Sequence, residues 1–561
     1  MEAKLKLLTA LQKAFLDEEP AEAPGIPLSG FRNEVLSFQV AYRIDGLSPD
    51  DRPFLTVAVE SPIRDAVRVR RVAHVPVGLA TFPDADDNYL RRTAGLYPDL
   101  LIDIAQTRLR VWPGQWQSLW IDVECAESTP AGTHPIRILL ATEDGREIGT
   151  VATEATLLPT SLPPQTLLHT KWLHCDSLSN FYHEPMWTER FWAIVERFIA
   201  LAVRRGINMM LTPIHTPPLD TRVGQERPTC QLVDIAYEDG EYTFGFDRLR
   251  RWVEMCRRCG VEYFEMAHLF TQWGARFTPK IVARQDGQER RIFGWDVPAQ
   301  SDAYRAFLAA YLPALTDELR ALGIADRTFF HISDEPDADH LADYMTAKAI
   351  ATPYLEGFPI IDALSNVEFY RQGVIEKPIP ANNHIEPFLA EGIQGLWTYY
   401  CVGQYKDVSN LFIAMPSARN RVFGLQLYKY DIEGILQWGY NFYYSQYADY
   451  PIDPFGVTDA DGFVPAGDPF QVYPGPDGHP LESLRMMVTQ QALYDLRACR
   501  LLESLTSRAF VMECLEGALV EPITFSRYPK DDAYLLSTRA RINAEIMARG
   551  GGESPSKTTV E

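Results

Sequence analysis

Between residues 25 and about 160, short segments of the chain alternate between apolar and polar positions. In the clearest of them, Leu36, Phe38, Val40 and Tyr42 occupy every second position. This period of two is typical of half-buried β-strands. Similar segments follow at Phe54–Val59, Val67–Val75, Thr107–Val111, Ser118–Val123 and Ile136–Ala141. Because Gly, Pro and Asp separate the segments, the pattern predicts an antiparallel β-sandwich.

After Pro164 the pattern changes, and short apolar runs alternate with long amphipathic helical segments. This alternation is typical of parallel βα units. The predicted strands are Leu167–Leu173, Ile207–Ile214, Tyr263–Leu269, Thr328–Ser333, Pro359–Leu364, Pro378–Ala381, Gly395–Tyr400 and Gly434–Trp438. Eight such strands favour a closed (β/α)8 TIM-like barrel, so the predicted fold class is α/β with a sandwich before the barrel.

These patterns divide the chain into five predicted segments. They are an amphipathic N-terminal helix (1–24), the β-sandwich (25–160), the barrel closed by a helix near Ser483–Leu505 (165–510), a helical extension (511–549) and a disordered tail (550–561). Long excursions at Thr216–Phe246, which favours a small hairpin, at Phe270–Pro298 and at 440–482 are predicted to cover the ligand-binding end of the barrel.

Composition and charge narrow the functional classes. With 53 Lys and Arg against 75 Asp and Glu, the net charge is −22, which argues against nucleic acid or an anionic membrane as a partner. The eight cysteines show no disulfide spacing, and the CxxC at Cys256 and Cys259 has no second pair, so no metal or cofactor is expected. The N-terminus resembles no signal peptide, and no apolar run reaches ~20 residues. We therefore expect a cytoplasmic protein.

The strongest candidate chemistry lies where the fourth predicted strand ends. Asp334 and Glu335 stand side by side there, directly before Pro336. Active groups of parallel barrels gather at the carboxyl ends of the strands. Neighbouring acids raise one another's pKa, which suits a general acid near neutral pH. The alternative interpretation is that one acid caps the next helix and the other is solvated.

Other strand ends supply aromatic rings, amides and a few titratable groups. The candidate binding residues are Lys171, Trp172, His215, Glu265, His268, Asn382, Asn383, Trp397, Tyr399, Trp438 and Asn441, with Trp295 from the long Phe270–Pro298 excursion. This set suits a neutral polyhydroxylated ligand, since aromatic faces can hold sugar rings, although any one of these residues can equally belong to the core. The sequence has no GxSxG, Walker or strand-linked GxGxxG motif.

Several motifs resemble the domain of unknown function 4091, a group related to glycoside hydrolase family 123. The clearest is PheHisIleSerAspGluPro at 330–336. The others are ArgAsnGlu at 32–34 with the Gln39 strand, AsnLeuPheIle at 410–413, ArgValPheGlyLeuGln at 421–426, GlyIleLeuGlnTrpGlyTyrAsn at 434–441, TyrProGlyProAspGly at 473–478 and SerLeuArg at 483–485. The resemblance extends over roughly residues 25 to 510.

The resemblance implies a retaining enzyme of the β-N-acetylgalactosaminidase type that acts on an oligosaccharide or glycoside. Glu335 would then be the acid and base, and Asp334 would orient the 2-acetamido group of the substrate, whose oxygen attacks the anomeric carbon. This is a substrate-assisted variant of the two-carboxylate scheme. Trp397, Tyr399 and Trp438 would form walls of the pocket, with a tyrosine hydroxyl near the acetamido oxygen.

Two alternatives stay open at this level. The first is a glycosidase for a sugar without the acetamido group, with Glu265 or Asp296 as a separate nucleophile or base. The second is a carbohydrate-binding protein without catalysis. The sequence leaves sugar identity, linkage, exo or endo action and oligomeric state open, a homo-oligomer included.

Overall fold

The computed structural model describes residues 2–23, 25, 28–46, 54–104, 108–336 and 338–550. The chain divides into two compact units. The first unit consists of residues 1–165, 409–429 and 481–561, and the second unit consists of residues 166–408 and 430–480.

The first unit begins with a series of strands that matches the predicted period of two. In the described part of the chain before residue 165, the strands are β1 (Glu2–Thr9), β2 (Leu28–Arg32), β3 (Val35–Asp45), β4 (Phe54–Glu60), β5 (Val67–Val77), β6 (Gly95–Asp103), β7 (Leu109–Arg110), β8 (Gln117–Glu124), β9 (Gly132–Thr142) and β10 (Glu147–Ser161). Over the described residues they form one sheet in the order β1-β3-β8-β5-β6 and a second in the order β2-β10-β9-β4-β7.

Both sheets contribute to one hydrophobic cluster. Phe38, Val40 and Tyr42 of the first sheet and Ile138 and Leu140 of the second are buried in it. The described pairings are antiparallel except that of β2 with β10, which is parallel. The alternating positions that predicted the strands are therefore the positions that form the core.

The predicted N-terminal helix is wrong. Residues Glu2–Thr9 form β1, which pairs antiparallel with β3 along its whole length. Ala3, Leu5 and Leu7 pack against the cluster, whereas Lys4 and Lys6 alternate with them along the strand. The segment has a period of two that the helical interpretation overlooked, and its pairing with β3 outweighs the helix propensity of Lys and Leu.

The remaining elements continue along the chain. The strands are β11 (Leu168–Lys171), β12 (Met209–Thr212), β13 (Asp234–Glu238), β14 (Glu241–Gly245), β15 (Tyr263–Met266), β16 (Ile281–Gln285), β17 (Gln288–Phe293), β18 (Thr328–Phe329), β19 (Ile361–Ala363), β20 (Lys377–Ile379), β21 (Trp397–Tyr399), β22 (Gly434–Gln437), β23 (Tyr473–Pro474) and β24 (Pro480–Leu481). The α-helices are α1 (Cys175–Tyr182), α2 (Glu189–Arg204), α3 (Asp247–Cys259), α4 (Asp302–Ala321), α5 (Leu341–Ala351), α6 (Glu368–Arg371), α7 (Glu386–Ala390), α8 (Ser417–Arg421), α9 (Phe423–Lys429), α10 (Leu484–Leu505), α11 (Arg508–Glu516) and α12 (Asp532–Gly550). Short 3-10 turns lie at Arg64–Ala66, Ala325–Arg327, Ala338–His340, Thr352–Tyr354, Gln446–Ala448 and Pro476–Gly478.

Parallel strands surround the core of the second unit. Over the described residues, six of them pair in the order β18-β15-β12-β11-β22-β21, and β19 pairs with β20. A parallel bridge between Phe330 and Ile360 continues from β18 towards β19, and a second bridge between Ala381 and Tyr399 continues from β20 to β21. Each of the eight predicted strands therefore has a parallel neighbour on both sides, and their carboxyl ends lie on the same side.

Two helices of the second unit begin at side chains that cap them. The Thr188 hydroxyl accepts a hydrogen bond from the Phe191 N–H at the start of α2, and Ser301 does the same for Tyr304 at the start of α4. Gly323, which follows α4, has a positive φ of 65°, a conformation that glycine adopts at low cost after a helix. The long excursions also carry the predicted hairpin, because β13 and β14 pair, and β16 and β17 extend the same sheet.

The closing helix α10, which the predicted boundary at residue 510 assigns to the barrel, groups with the first unit. Ser483, which caps α10, forms an antiparallel bridge with Leu100 of β6. The side chain of Asn420, from α8, donates to the Arg485 carbonyl at 3.1 Å. Residues on nearly every face of α10 are buried, so apolar and polar partners surround the helix in this unit. The predicted disordered tail lies outside the described residues from 551 onwards.

No helix in the described part of the chain is both long enough and apolar enough to cross a membrane.

Candidate active site

A cavity of about 210 Å³ opens at the carboxyl ends of the parallel strands of the second unit. Its described lining residues come from the strand ends and from the loops that follow them. They are Trp172, Leu219, Asp220, Gln272, Trp273, Asp334, Glu335, Ala363, Tyr399, Cys401, Val402, Leu436, Trp438, Phe463 and Val464. The predicted acidic pair therefore lies where ligands bind in folds of parallel strands.

Glu335 is held in place by its backbone and by a neighbouring phenol. Its φ is 44°, a left-handed value that is strained for a residue with a side chain. Its N–H donates to the Ala363 carbonyl at 3.1 Å, and the Tyr399 hydroxyl donates to its Oε1 at 2.6 Å. Burial raises the pKa of Glu335, and the hydrogen bond from Tyr399 opposes this rise. A carboxyl group with a raised pKa can hold a proton near neutral pH.

Asp334 lies in the same cavity, and its backbone is tied to a neighbouring loop. The Trp273 N–H donates to its carbonyl at 2.9 Å. Burial is the largest cause that raises the pKa of Asp334, the negative charge of Glu335 adds to it, and the charge of His331 lowers it. Two adjacent buried carboxyl groups disfavour simultaneous ionisation, so the pair holds one proton over a wider pH range than either acid would alone.

A fully buried charge cluster is centred on His331, three residues before Asp334. His331 Nε2 lies 2.9 Å from Glu265 Oε1, and His331 Nδ1 lies 3.1 Å from Asp362 Oδ1. The Thr170 hydroxyl donates to Glu265 Oε2 at 2.6 Å, and the Tyr344 hydroxyl donates to Asp362 Oδ2 at 2.6 Å. Burial by itself lowers the pKa of His331, but its hydrogen bonds to Asp362 and Glu265 outweigh burial and raise the pKa to about 10.

The structure brings only part of the predicted set to the cavity. Trp172, Tyr399 and Trp438 line it together with Asp334 and Glu335. The Trp438 indole N–H donates to Asp468 Oδ2 at 3.0 Å, and the Trp172 indole N–H donates to Glu265 Oε1. These bonds fix the planes of both rings at the cavity wall.

Three predicted residues lie deeper in the core than expected. Trp397 is two residues before Tyr399 on β21, is 1% exposed and packs against Phe329 with ring centroids 5.8 Å apart. Glu265 has both oxygens occupied by Thr170, Trp172 and His331, and His268 stacks on His331 with a centroid distance of 4.2 Å. Trp397 and Glu265 lie on β21 and β15, and His268 follows β15, but none of the three lines the cavity.

Other predicted residues face away from the cavity. On β11, Trp172 and Thr170 lie on the inner side, so by the period of two Lys171 lies on the outer side, where its ammonium donates to Gln471. His215 bonds the His268 carbonyl at 2.7 Å. Asn441 donates to the His174 carbonyl at 3.0 Å.

Asn382, Asn383 and Trp295 also lie away from the cavity. Asn382 follows the inward Ala381 of the core and is itself buried. Asn383 accepts from the Gln404 amide at 2.9 Å. Trp295 lines a separate hollow beside Asp296.

Sequence reasoning missed the residues that two loops bring to the cavity. Asp220, Gln272 and Trp273 lie in the excursions after β12 and β15, which have no regular period from which a facing side could be read. The length of those excursions predicted that they cover the ligand-binding end of the barrel, but it did not identify any particular residue. Trp273 is 38% exposed, so much of its ring is open to solvent at the cavity.

Asp220 is a third carboxyl group at the cavity. The Tyr447 N–H donates to its Oδ2 at 3.1 Å. Burial raises the pKa of Asp220 to about 6, against the charge of Arg227. The same Arg227 donates to the Leu219 carbonyl at 2.8 Å and holds both oxygens of Asp176 at 2.7 Å, which anchors this loop.

One group of residues has the composition of a metal site. His268, His331 and Asp362 place one possible ligand atom each within 4.8 Å of one another. Both nitrogens of His331 already bond carboxylates, so this residue could bind an ion only if one of those bonds broke. Among the described residues the cluster is better explained as an ion-pair network.

Comparisons with known proteins give a match to a family model and a match to a solved structure over nearly the whole chain. A family model described as glycoside hydrolase 123, catalytic domain, matches residues 172–502. The structure of a family 123 glycoside hydrolase from Clostridium perfringens is similar over 98% of both chains, with a TM-score of 0.72 and 14% sequence identity. That enzyme is described in terms of glycolipid glycan hydrolysis.

Weaker structural matches include other carbohydrate-active enzymes. A family 10 xylanase with a bacterial Ig-like domain from termite gut gives a TM-score of 0.32 at 12% identity, over 68% of this chain and 90% of that one. A β-galactosidase from Rahnella sp. R3 gives 0.32 at 10% identity, over 60% and 57%. These scores are too low to support a fold assignment. No curated protein sequence matches the chain.

Proposed function

The chain belongs to the glycoside hydrolase 123 family, and from this premise we propose that it removes terminal β-linked N-acetylhexosamine of the galactosamine type from oligosaccharides, with retention of configuration. Its membership makes the chain a glycosidase and confirms the family resemblance predicted from the sequence. The narrower assignment to the domain of unknown function 4091 stays a prediction.

The observation that carries the proposal is the position of Glu335. Its carboxyl group lies at the cavity beside Asp334, accepts a hydrogen bond from Tyr399 and has a pKa raised by burial. A protonated Glu335 donates its proton to the glycosidic oxygen as the bond to the anomeric carbon breaks. The carbonyl oxygen of the 2-acetamido group forms the new bond to that carbon. Glu335, now ionised, then takes a proton from the water that opens this cyclic intermediate.

Asp334 acts on the acetamido group in this scheme. An ionised Asp334 accepts a hydrogen bond from the acetamido N–H and stabilises the positive charge that develops as the oxygen attacks. Adjacent residues at one strand end cannot place carboxyl groups on opposite faces of a sugar ring. They can serve a leaving group and a 2-substituent on one side, which supports substrate assistance over an enzymic nucleophile.

The walls of the cavity fit a neutral sugar. Trp172, Trp273, Tyr399 and Trp438 provide aromatic surface, and sugar C–H faces pack on such rings. Among the described lining residues there is no Lys or Arg, so nothing in the lining favours a phosphorylated or carboxylated substrate.

A second candidate is a glycosidase for a sugar without the acetamido group. The two carboxylates predicted for this chemistry do not suit it, because the oxygens of Glu265 are fully bonded and Asp296 pairs with Arg291 outside the cavity. The observation that favours this candidate is Asp220, a cavity carboxyl group with a pKa raised to about 6. It could serve as base or nucleophile. The family membership argues against the third possibility, binding without catalysis.

The test is a panel of aryl β-glycosides with and without a 2-acetamido group. We expect turnover confined to the acetamido sugars, inhibition by a thiazoline that mimics the cyclised intermediate, and a β-anomer as the first product by NMR. Turnover of galactosides lacking the acetamido group, with no inhibition by the thiazoline, would move the assignment to the second candidate.

The proposal includes three finer points about the protein. The ring of eight parallel strands is a (β/α)8 barrel, and the two sheets that share a hydrophobic cluster are a β-sandwich. A cytoplasmic location fits eight cysteines without disulfide spacing, and fractionation of cells with an antibody to the chain would test it.

A further inference from the structure

Asp220 is a carboxyl group of the cavity that the proposed reaction does not use. One of its oxygens, Oδ2, accepts a hydrogen bond from the Tyr447 N–H at 3.1 Å. Among the described residues no hydrogen bond reaches its other oxygen, Oδ1, which is not enclosed by the protein. Burial raises the pKa of Asp220 to about 6, so near neutral pH the group is mostly a carboxylate, which accepts hydrogen bonds and donates none.

The backbone on both sides of Asp220 is held in place. Its φ is 39°, a left-handed value that residues with a side chain adopt at a cost. Arg227 donates to the Leu219 carbonyl at 2.8 Å. The Gln272 amide donates to the Thr221 carbonyl at 3.1 Å. Such a conformation persists where its surroundings over-determine it, and it is concentrated at ligand-binding and catalytic sites. The direction of this carboxylate is therefore fixed by the loop itself.

The residue that holds the carboxylate is fixed from several sides. Tyr447 has a φ of 55°, and its carbonyl accepts a hydrogen bond from the Arg222 N–H at 3.0 Å. Its ring packs edge-to-face on Trp273 with centroids 5.7 Å apart, and against Phe463 at 5.9 Å. Because Trp273 and Phe463 both line the cavity, Tyr447 fixes Asp220 relative to two aromatic walls.

The other polar groups of the lining leave a need that Asp220 can meet. The indole N–H groups of Trp172 and Trp438 already donate to carboxylates. In the proposed reaction the catalytic pair serves the glycosidic oxygen and the acetamido group. The hydroxyl groups on C3, C4 and C6 of a hexosamine also need acceptors when they leave water. Apart from the catalytic pair, Asp220 is the one carboxylate among the described lining residues, and charged acceptors form the stronger hydrogen bonds.

We propose that Asp220 is a specificity-determining residue that recognises the terminal sugar, with Oδ1 accepting a hydrogen bond from the hydroxyl group on C3, C4 or C6. The inference rests on the proposed function, which assigns the acetamido group and the glycosidic oxygen to the catalytic pair. It gives Asp220 a role in binding, in place of the nucleophile or base of the second candidate.

The first experiment measures binding without turnover. Isothermal titration calorimetry compares the unmodified protein with D220A, using N-acetylgalactosamine and three analogues that lack the hydroxyl on C3, C4 or C6. For the unmodified protein we expect one analogue to bind about 10–100-fold more weakly than the parent sugar. In D220A the parent sugar and that analogue should bind within about twofold of each other, because the acceptor is gone. A parent sugar that keeps its full advantage over every analogue in D220A would overturn the proposal.

The second experiment separates recognition from catalysis and from damage to the loop. On aryl glycosides, D220A should lower kcat/KM about 10–100-fold for the full sugar, but less than about twofold for the glycoside that lacks the recognised hydroxyl. D220N, which keeps an oxygen for the Tyr447 N–H, should discriminate between the two glycosides to an intermediate degree. Equal losses of D220A on both glycosides would overturn the proposal, because a nucleophile or a support of the loop serves both alike.

The matched control is D449A. It removes a carboxylate that bonds the Arg222 side chain and does not line the cavity, so discrimination between the full and the deoxy glycoside should not change. Failure of the proposed function would be seen separately, in the glycoside panel. If that panel selects a sugar without the acetamido group, the titration is repeated with galactose and its deoxy analogues, and the same comparison decides the role of Asp220.

Discussion

A buried ion-pair network of the first unit and the cavity of the second unit hold buried acids in opposite ways. In the first unit, Arg539 donates to both oxygens of Glu34 at 2.6 and 2.7 Å and to Asp495 at 2.9 Å, and Arg421 holds Asp495 from another side. Each buried acid in this network has an arginine partner. At the cavity of the second unit, Asp220, Asp334 and Glu335 have pKa values raised by burial, and no described lining residue is basic.

The difference distinguishes charged residues that stabilise the fold from acids that can take part in proton transfer. An acid that is paired with arginine stabilises the fold. The pair keeps the acid ionised, and removal of either partner leaves the other charge buried and unpaired. An acid that is buried without a cationic partner can exchange a proton near neutral pH. The predictions below test this distinction, beginning with the largest expected effect.

The change Arg539→Met should destabilise the protein by about 3–5 kcal/mol, because it leaves Glu34 buried without its cation. Chemical denaturation followed by circular dichroism measures this as a lower midpoint. The matched control is Arg541→Met on the exposed side of the same helix, which should change stability by less than about 0.5 kcal/mol. Equal effects of the two changes would show that the buried network does not carry the stability assigned to it.

The change Asp334→Asn should lower kcat by about 10²–10³-fold, because an amide cannot stabilise the positive charge that develops on the acetamido group. Steady-state kinetics on the best aryl glycoside measures the loss, and the thermal midpoint should not fall. Asp296→Asn removes an exposed carboxylate outside the cavity and should leave kcat within about twofold. A larger loss in Asp296→Asn than in Asp334→Asn would reverse the assignment of the site.

The change Tyr399→Phe should move the basic limb of the kcat/KM profile to higher pH. The Tyr399 hydroxyl lowers the pKa of Glu335, so its removal raises that pKa, and the acid stays protonated to higher pH. A hydrogen bond to a charged group contributes about 1.5–3 kcal/mol, and one pKa unit corresponds to about 1.4 kcal/mol, so the expected shift is about 1–2 units.

The control for this change is Tyr440→Phe, which removes a buried hydroxyl that bonds the Phe198 carbonyl and does not line the cavity. Its pH profile should match that of the unmodified enzyme. A shift to lower pH in Tyr399→Phe would mean that Glu335 is not the acid that sets the basic limb.

The smallest expected effect is that of Trp273→Ala. The exposed ring of Trp273 stands at the cavity and should contact the part of the substrate beyond the cleaved bond, so kcat/KM for an oligosaccharide should fall roughly 2–10-fold. A glycosyl fluoride, which has no such part, should lose less than about twofold by the same reasoning. Trp295→Ala should affect neither substrate, and equal losses of Trp273→Ala on both substrates would contradict this position for the ring.

Sequence reasoning located the strands and the acidic pair because each can be recognised within a short stretch of the chain. The period of two gave β3 and β8, and the apolar runs gave all eight parallel strands, although β1 was mistaken for a helix. Asp334 and Glu335 were found because they follow an apolar run, although β18 itself ends at Phe329. By contrast, Asp220 and Trp273 reach the cavity through loops with no period, so only three-dimensional contacts reveal them.

Two motifs of the family contain buried charged residues that stabilise the fold. Glu34 of the ArgAsnGlu motif pairs with Arg539, and Arg485 of the SerLeuArg motif pairs with Asp99 at 2.8 Å. Both residues stabilise the first unit. A charged residue in a motif can therefore belong to an ion pair as readily as to an active site, and its bonding partners distinguish the two cases.

The most direct test of Glu335 as proton donor compares leaving groups in E335Q. A natural disaccharide has a leaving alcohol that needs a proton, whereas a dinitrophenolate leaves without one. The account predicts a loss in kcat/KM, which reports the steps up to cleavage of the glycosidic bond, of about 10²–10⁴-fold on the disaccharide and less than about tenfold on the dinitrophenyl glycoside of the same sugar. Equal losses on both substrates would contradict it, because they would show that Glu335 does not protonate the departing oxygen.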